Sequence, residues 1–185
     1  MDTVPALELD ENEAAGVRVE GARHTGAVFE RARLLDVELV RCDLSGCNFA
    51  EAQWQRVTLV DCRATGIDLS QATLRHVTFR ACKLDDANIR LANLRDVRFD
   101  DCVLTGTELI GTRCERVWFA GSDLAGVDVS QVRAKHVDLR GARLDGIKGI
   151  GALSGAAISR EQLVTLAPTL AAALGLTIAD DEDAG

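Results

Sequence analysis

Residues 39–59 read LVRCDLSGCNFAEAQWQRVTL, and Leu39, Leu44, Phe49, Trp54 and Leu59 stand five apart. A five-residue apolar period excludes both ordinary ways of burying one face. In an α-helix five residues advance about 500°, which leaves successive members about 140° apart around the surface. In a flat strand an odd offset sends the side chain to the opposite face. The chain must therefore turn between one large apolar residue and the next, repeatedly.

The period runs much further than this stretch. With residues 24, 29, 34 and onward to 144 taken as unit centres, 24 of 25 are apolar, His24 being the exception. Two places before each centre, from Ala22 to Ile147, 23 of 26 are apolar, and Thr107, Thr112 and Ser122 break the rule. The residue just before the centre is apolar in 3 of 25 units; two places after it, 9 are Gly and 2 are apolar. A chain that is 47% hydrophobic does not sort itself so sharply by chance. The unit reads small-apolar, polar, large-apolar, any, Gly-or-polar. Its first and third residues share a face, as extended chain demands. Its last two make a corner, where Gly accepts positive φ without a clash. One such unit cannot bury its apolar face alone, so the units must stack.

Every twentieth residue tells how they stack. Val37, Val57, Val77, Val97, Val117 and Val137 form one column; Cys42, Cys62, Cys82 and Cys102 form another; Ala32, Ala52, Ala72 and Ala92 a third; Phe79, Phe99 and Phe119 a fourth. Steps of fifteen mix these types. Four units per turn give a square all-β solenoid with coils about 4.8 Å apart, the parallel-strand spacing, and about six coils make a rod on the order of 30 Å long.

The triplets Cys42-Asp43-Leu44, Cys47-Asn48-Phe49, Ala87-Asn88-Ile89, Ala92-Asn93-Leu94 and Ser122-Asp123-Leu124 carry a family signature, A-(D/N)-L-x-x. Over residues 22–147 the chain resembles the pentapeptide-repeat proteins. That resemblance implies a right-handed quadrilateral β-helix.

A solenoid exposes sheet edges at its ends and needs caps. Residues 1–21 hold the register loosely through Val4, Leu9 and Val19 and are expected to form an irregular first coil or cap. Residues 22–147 are the β-helix, residues 148–179 a C-terminal helical module, and residues 180–185 an acidic tail. Ser159 with Gln162 reads as a capping box that starts a short helix through Leu166. Pro168 is expected to restart the chain, with a second helix running to Gly175 at C′ and a brief strand in LTIADDEDAG. Leu163, Leu166, Leu170 and Leu174 give these helices an apolar face. That face covers the last coil, and the resemblance to fluoroquinolone-resistance pentapeptide proteins implies that it also pairs two rods as a homodimer.

Catalytic chemistry finds little purchase. All six cysteines fall at inward positions, with Cys47 and Cys114 beside the column above. Thiols in a straight column cannot converge on one metal ion, and adjacent rungs hold Cβ atoms too far apart for a good disulfide. They read as small buried hydrophobes. His76 and His136 share an outer column three coils apart, and Ser, Asp and His lack any triad spacing. The glycines fall singly at corners, so no phosphate-cradling loop exists. An interior filled by its own side chains leaves no substrate cavity. The expectation is a non-enzymatic protein with no cofactor, metal or small-molecule substrate. The acidic start MDTVPALELDENEAAG has no signal-peptide pattern and no apolar run reaches the roughly 20 residues of a membrane span, which points to the cytoplasm.

The outer surface remains. The net charge of −8 belongs to the ends: residues 22–147 hold 18 basic and 18 acidic residues. Within the rod the charges segregate. The face centred on Leu34, Trp54, Leu74, Leu94, Cys114 and Ala134 is basic through Arg33, Arg56, Arg75, Arg95, Arg113, Arg116, Arg133 and Lys135. The preceding face is acidic through Glu30, Glu51, Asp68, Glu108 and Asp128. Opposed stripes can steer a partner or merely form a solvated surface with cross-rung ion pairs. A rigid protein-interaction rod is the first functional expectation. The resemblance implies a second: a mimic of duplex DNA that binds and modulates DNA gyrase. A neutral rod with a basic face weakens that reading, because a duplex presents about one charge per 1.7 Å. Binding of nucleic acid to the basic face ranks last, since stacking aromatics are missing and the pI is about 4.9.

Overall fold

The computed structural model describes residues 2–179. Among them nine strands follow in chain order: β1 (Asp2–Val4), β2 (Glu13–Ala15), β3 (Val17–Glu20), β4 (Arg33–Val40), β5 (Gln53–Val60), β6 (Thr73–Arg80), β7 (Asn93–Asp100), β8 (Arg113–Trp118) and β9 (Arg133–Asp138). All pair in parallel, in the order β1-β3-β4-β5-β6-β7-β8-β9, with β2 beside β4. The register is twenty residues: Val37 lies on Val57, Val77 on Val97, Val97 on Val117 and Val117 on Val137. The expected square solenoid of about six turns is the observed fold.

Four faces follow from the register. Faces 1 to 4 are centred in one turn on Leu44, Phe49, Trp54 and Leu59. Each of β4 to β9 spans faces 3 and 4, whereas faces 1 and 2 meet the next turn through single bridges such as Asp43–Arg63 and Asn48–Asp68. Corners are made one way throughout. From Gly16 to Gly146 every fifth residue has positive φ, with glycine at 11 of these positions and another residue at 16. A left-handed conformation costs a residue with Cβ about 1–2 kcal/mol, so the regular coil imposes conformations that most of its corner residues would avoid. Exposed Ala81, with φ 51°, isolates that cost. Ala81→Gly is expected to raise stability by about 0.5–1 kcal/mol in urea unfolding, against the usual sign of an Ala-to-Gly change.

The interior is one continuous apolar core. Phe49, Leu59, Val77, Phe79, Val97 and Phe99 are 0% exposed. Phe79 and Phe99 stack with ring centroids 4.8 Å apart and planes 6° apart, and Phe99 and Phe119 at 5.0 Å and 4°. Strand spacing sets those separations. The three residues that broke the inward pattern are buried and satisfied. Thr107 Oγ1 donates to the Leu84 carbonyl (2.9 Å), Thr112 Oγ1 to Ile89 (2.6 Å) and Ser122 Oγ to Phe99 (2.8 Å). Each reaches 23 residues back, to the centre residue of the preceding turn. Buried hydroxyls need such partners.

At the N-terminal end the first turn is short by one unit, because Val4 sits on Val19, fifteen residues on. Asp10 and Glu13 close a two-residue turn whose central Glu11 and Asn12 have φ 44° and 69°, the primed geometry that matches strand twist. Leu7 drops into the end of the core at 4% exposure, and its N–H donates to His24 Nε2 at 3.1 Å. His24 is thus a half-buried first rung held in its neutral form, and burial lowers its pKa. The folded state therefore binds fewer protons near pH 6 than the unfolded chain, whose histidine titrates near about 6.5. The stabilisation is complete above that pH and is lost as pH falls below it. Hydrogen-exchange opening energy at Leu7, measured relative to Val77, is expected to fall from pH 7 to pH 5.5, and to lose that dependence in His24→Gln.

At the other end a 3-10 turn (Ile150–Leu153) leads to Ala157, which bridges Asp138 in β9, and then to one helix, α1 (Arg160–Ala173). The Ser159–Gln162 capping box is present in full. Gly175, at φ 71°, ends the helix: its N–H meets Ala172 O (3.0 Å) and Leu176 N–H meets Ala171 O (2.9 Å), which is the Schellman pattern. Two expectations are corrected. Pro168 does not divide two helices but lies inside α1. The carbonyl it cannot serve belongs to Val164, four residues back on the exposed side of the helix, where the residue is 76% exposed. Residues 176–179 form no strand, since Leu176 and Ile178 stand 61% and 68% exposed with no sheet edge beside them. The acidic residues 180–185 lie outside the described residues. No helix among the described residues is long and apolar enough to cross a membrane.

Candidate functional site

Three positions per unit point outward, so each face carries parallel columns of side chains one coil apart. On face 3 the column before the centre runs Arg33, Gln53, Thr73, Asn93, Arg113, Arg133. The column after it runs Leu35, Gln55, Arg75, Arg95, Glu115, Lys135, and the corner column beyond runs Asp36, Arg56, His76, Asp96, Arg116, His136. The eight basic residues expected to share this face do share it.

Its charge is nevertheless divided. Arg56 grips Asp36 through two hydrogen bonds of 2.6 and 2.8 Å. Arg116 does the same to Asp96 (2.5 and 2.8 Å) while reaching Glu115 at 2.7 Å. Arg95 lies 3.9 Å from Glu115 and Lys135 3.8 Å from it. These arginines hold the Asp36, Asp96 and Glu115 carboxyls below the ordinary carboxylate range, through the hydrogen bonds first. Arg33, Arg75, Arg113 and Arg133 are exposed and have no carboxylate within ion-pair distance among the described residues. Between the two inner columns run two shallow hollows. One of about 500 Å3 lies between Arg33 and Arg75, and one of about 310 Å3 between Arg75 and Arg113. They share Thr73 and Arg75, so they form one groove along the rod.

Face 2 collects the five acidic candidates but spends several of them locally. Glu51 is held by Arg31 at 3.0 and 3.2 Å, and Glu30 lies 3.6 Å from the same arginine. Glu108 meets Arg90 at 3.1 Å. Asp68 accepts from Ser70 N (2.8 Å) and Asn88 Nδ2 (3.2 Å), and Asp128 from Ser130 N (2.9 Å). This face is a row of short-range pairs rather than an anionic rail.

The C-terminal candidates separate. Leu163 and Leu174 are 50% and 76% exposed, beside exposed Val164, whereas Leu170 is half-buried. Leu166 is only 3% exposed and belongs to the rod's own core, so it is withdrawn as a surface contact. Period and amphipathicity could not separate these leucines, because one helix turns them toward different surroundings.

Sequence reading also passed over two contacts, one a second role for the capping residue Gln162. Gln162 Nε2 donates to the Leu139 (2.6 Å) and Ala142 (2.7 Å) carbonyls, while its Oε1 accepts from Ser159 N. On face 4 the Arg98 guanidinium lies over Trp118, 4.8 Å from the ring centroid. The twenty-residue column already paired the latter two.

All six thiols are buried and free. Burial pushes Cys114 up to about 12 and Cys47 up to about 11, which keeps both protonated. Cys62 donates to the Leu39 carbonyl at 3.3 Å, again 23 residues back. No cluster of His, Cys, Asp and Glu suited to a metal occurs among the described residues.

A family model described as a pentapeptide repeat region matches residues 32–109 and 77–148. Among solved structures, a trypsin-treated form of QnrB1, a plasmid-mediated fluoroquinolone resistance protein, is 22% identical. Its match covers 92% of this chain and 94% of that one, with a TM-score of 0.51. HetL, a pentapeptide repeat protein involved in heterocyst differentiation regulation in the cyanobacterium Nostoc sp. strain PCC 7120, is 18% identical over 78% of this chain and 86% of its own, with a TM-score of 0.30. At these identities the likeness to QnrB1 is one of fold. Curated proteins yield no match.

Proposed function

Because the chain belongs to the pentapeptide repeat family, we propose that it is a non-enzymatic, rigid rod that docks on a protein partner through its charged side faces. The observation that carries this reading is the solid interior: the shaft from Ala32 to Ile147 is closed by its own side chains, leaving chemistry only on the outside. In this reading residues 1–21 cap one end, residues 22–147 present the docking faces, and residues 148–179 join two copies. Exposed Leu163, Val164 and Leu174 support that pairing. A photo-crosslinking residue at Gln55 on face 3 or Asn48 on face 2, in cells, tests the reading. A discrete adduct confined to one face is expected; equal, diffuse labelling of both faces would overturn it. For the pairing, Leu174→Glu is expected to halve the mass in light scattering, and a wild-type monomer would reject it.

A second reading is supported by likeness in fold to a fluoroquinolone resistance protein and by the acidic residues of face 2. In it the rod occupies the duplex site of DNA gyrase. Local pairing of Glu51 and Glu108 with arginines counts against it. Purified protein at micromolar concentration should then change supercoiling with and without a quinolone; an unchanged rate removes this reading.

A further inference from the structure

The groove on face 3 is more specific than a charged stripe. Of the four unengaged guanidiniums of this face, Arg133 on the sixth rung lies beyond the groove. The three that line it stand on alternate rungs: Arg33 on the first, Arg75 on the third and Arg113 on the fifth, counted from Leu34. Two rungs separate each from the next, which is about 10 Å. They also alternate between the two walls, Arg33 and Arg113 before the centre and Arg75 after it. Between them stand the uncharged hydrogen-bonding side chains Gln53, Thr73 and Asn93 on one wall and Gln55 on the other. The one charged side chain of the two inner columns on the rungs between, Arg95, lies 3.9 Å from both Asp96 and Glu115. Such groups satisfy the backbone of an extended chain without demanding charge.

An extended polypeptide advances about 3.3 Å per residue, so three residues span about 10 Å. We propose that this groove binds an extended acidic segment of a partner protein carrying a carboxylate at about every third residue, clamped in turn by Arg33, Arg75 and Arg113. This deepens the interaction-rod reading and rests on it. Charge-assisted bonds from arginine to carboxylate supply the anchors, and the 10 Å interval supplies the selectivity. A nucleic-acid strand fits the groove less well. Its phosphates come far more densely than one per 10 Å, and the one aromatic lining the two hollows, Trp54, is 1% exposed and offers no stacking surface.

The test is fluorescence anisotropy at low salt with the full chain and four probes. These are a 12-residue peptide of four Glu-Ala-Pro repeats, the same composition with its glutamates in one block, the Gln-Ala-Pro version, and a 12-nucleotide oligothymidylate. Saturable binding of the spaced peptide is expected, at least fivefold tighter than the blocked peptide or the oligonucleotide, with none by the glutamine version. Arg75→Gln is expected to weaken it at least fivefold and Arg75→Gln with Arg113→Gln at least twentyfold, while Arg98→Gln on face 4 leaves it unchanged. All three positions are on the surface, and unchanged circular dichroism verifies the fold. Equal binding of the blocked peptide or the oligonucleotide, no binding of the spaced peptide, or wild-type affinity in Arg75→Gln would each overturn the proposal. A face-specific crosslink in cells beside a negative peptide result rejects the groove alone, whereas diffuse crosslinking rejects the interaction rod itself.

Discussion

Phe99→Ala is expected to remove about 4 kcal/mol of stability. Phe99 is 0% exposed and lies between two near-parallel rings, Phe79 and Phe119. Truncation leaves a ring-sized void that the neighbours cannot fill, because each is held to its own rung by backbone bonds such as Val77–Val97 and Val97–Val117. The void sits mid-rod, and a solenoid's stability is a chain of nearest-neighbour couplings. The loss therefore weakens the link between the two halves, and urea unfolding followed by far-UV circular dichroism should broaden as well as shift. Phe99→Leu is the control. Leucine already occupies this column at Leu39, Leu59 and Leu139, so that change should cost less than about 1.5 kcal/mol. An equal loss in both variants would mean that the rings are held by more than volume.

Gln162→Glu is the second large effect, about 2–3 kcal/mol at the C-terminal end. The change keeps the shape, keeps an acceptor for Ser159 N, and places a negative charge at a helix N-terminus, where it is ordinarily welcome. What it destroys is the donor. The side-chain amide serves the Leu139 and Ala142 carbonyls at 2.6 and 2.7 Å, and a carboxylate would oppose both oxygens. The reach to Leu139 spans the same 23 residues that separate Thr107 from Leu84 and Ser122 from Phe99. Gln162 is thus the donor of a further rung, supplied by a helix instead of a coil. Limited proteolysis should release α1 faster in Gln162→Glu than in the wild type, and at least as fast as in Gln162→Ala. The loss should shrink as pH falls and the introduced carboxyl takes up a proton, since that group's folded pKa is raised and its protonated form can donate. A variant indistinguishable from wild type would show that the helix is held by Leu166 alone.

The sequence by itself determined the winding. A large apolar residue every fifth place, with small ones two before it, leaves a square coil as the economical way to put both inside. The twenty-residue columns then set the register, so Val37 on Val57 and the buried thiol column were legible before any coordinates. So were the capping box at Ser159 and the assignment of Arg33, Arg75 and Arg113 to one face, because repetition makes position modulo twenty equivalent to position in space. Tertiary structure decided what repetition cannot encode. Which arginines remain free depends on whether a carboxylate one rung away lies within reach, as Asp36 does for Arg56 and none does for Arg75 among the described residues. Whether Leu166 or Leu163 faces the core depends on how α1 lies across the last turn, and Pro168 is carried inside α1 on a stretch whose residue four back, Val164, is exposed rather than packed. Local pattern governs the coil since every rung sees the same neighbours; the ends and the charges have no such repeated neighbour, and only the assembled chain supplies one.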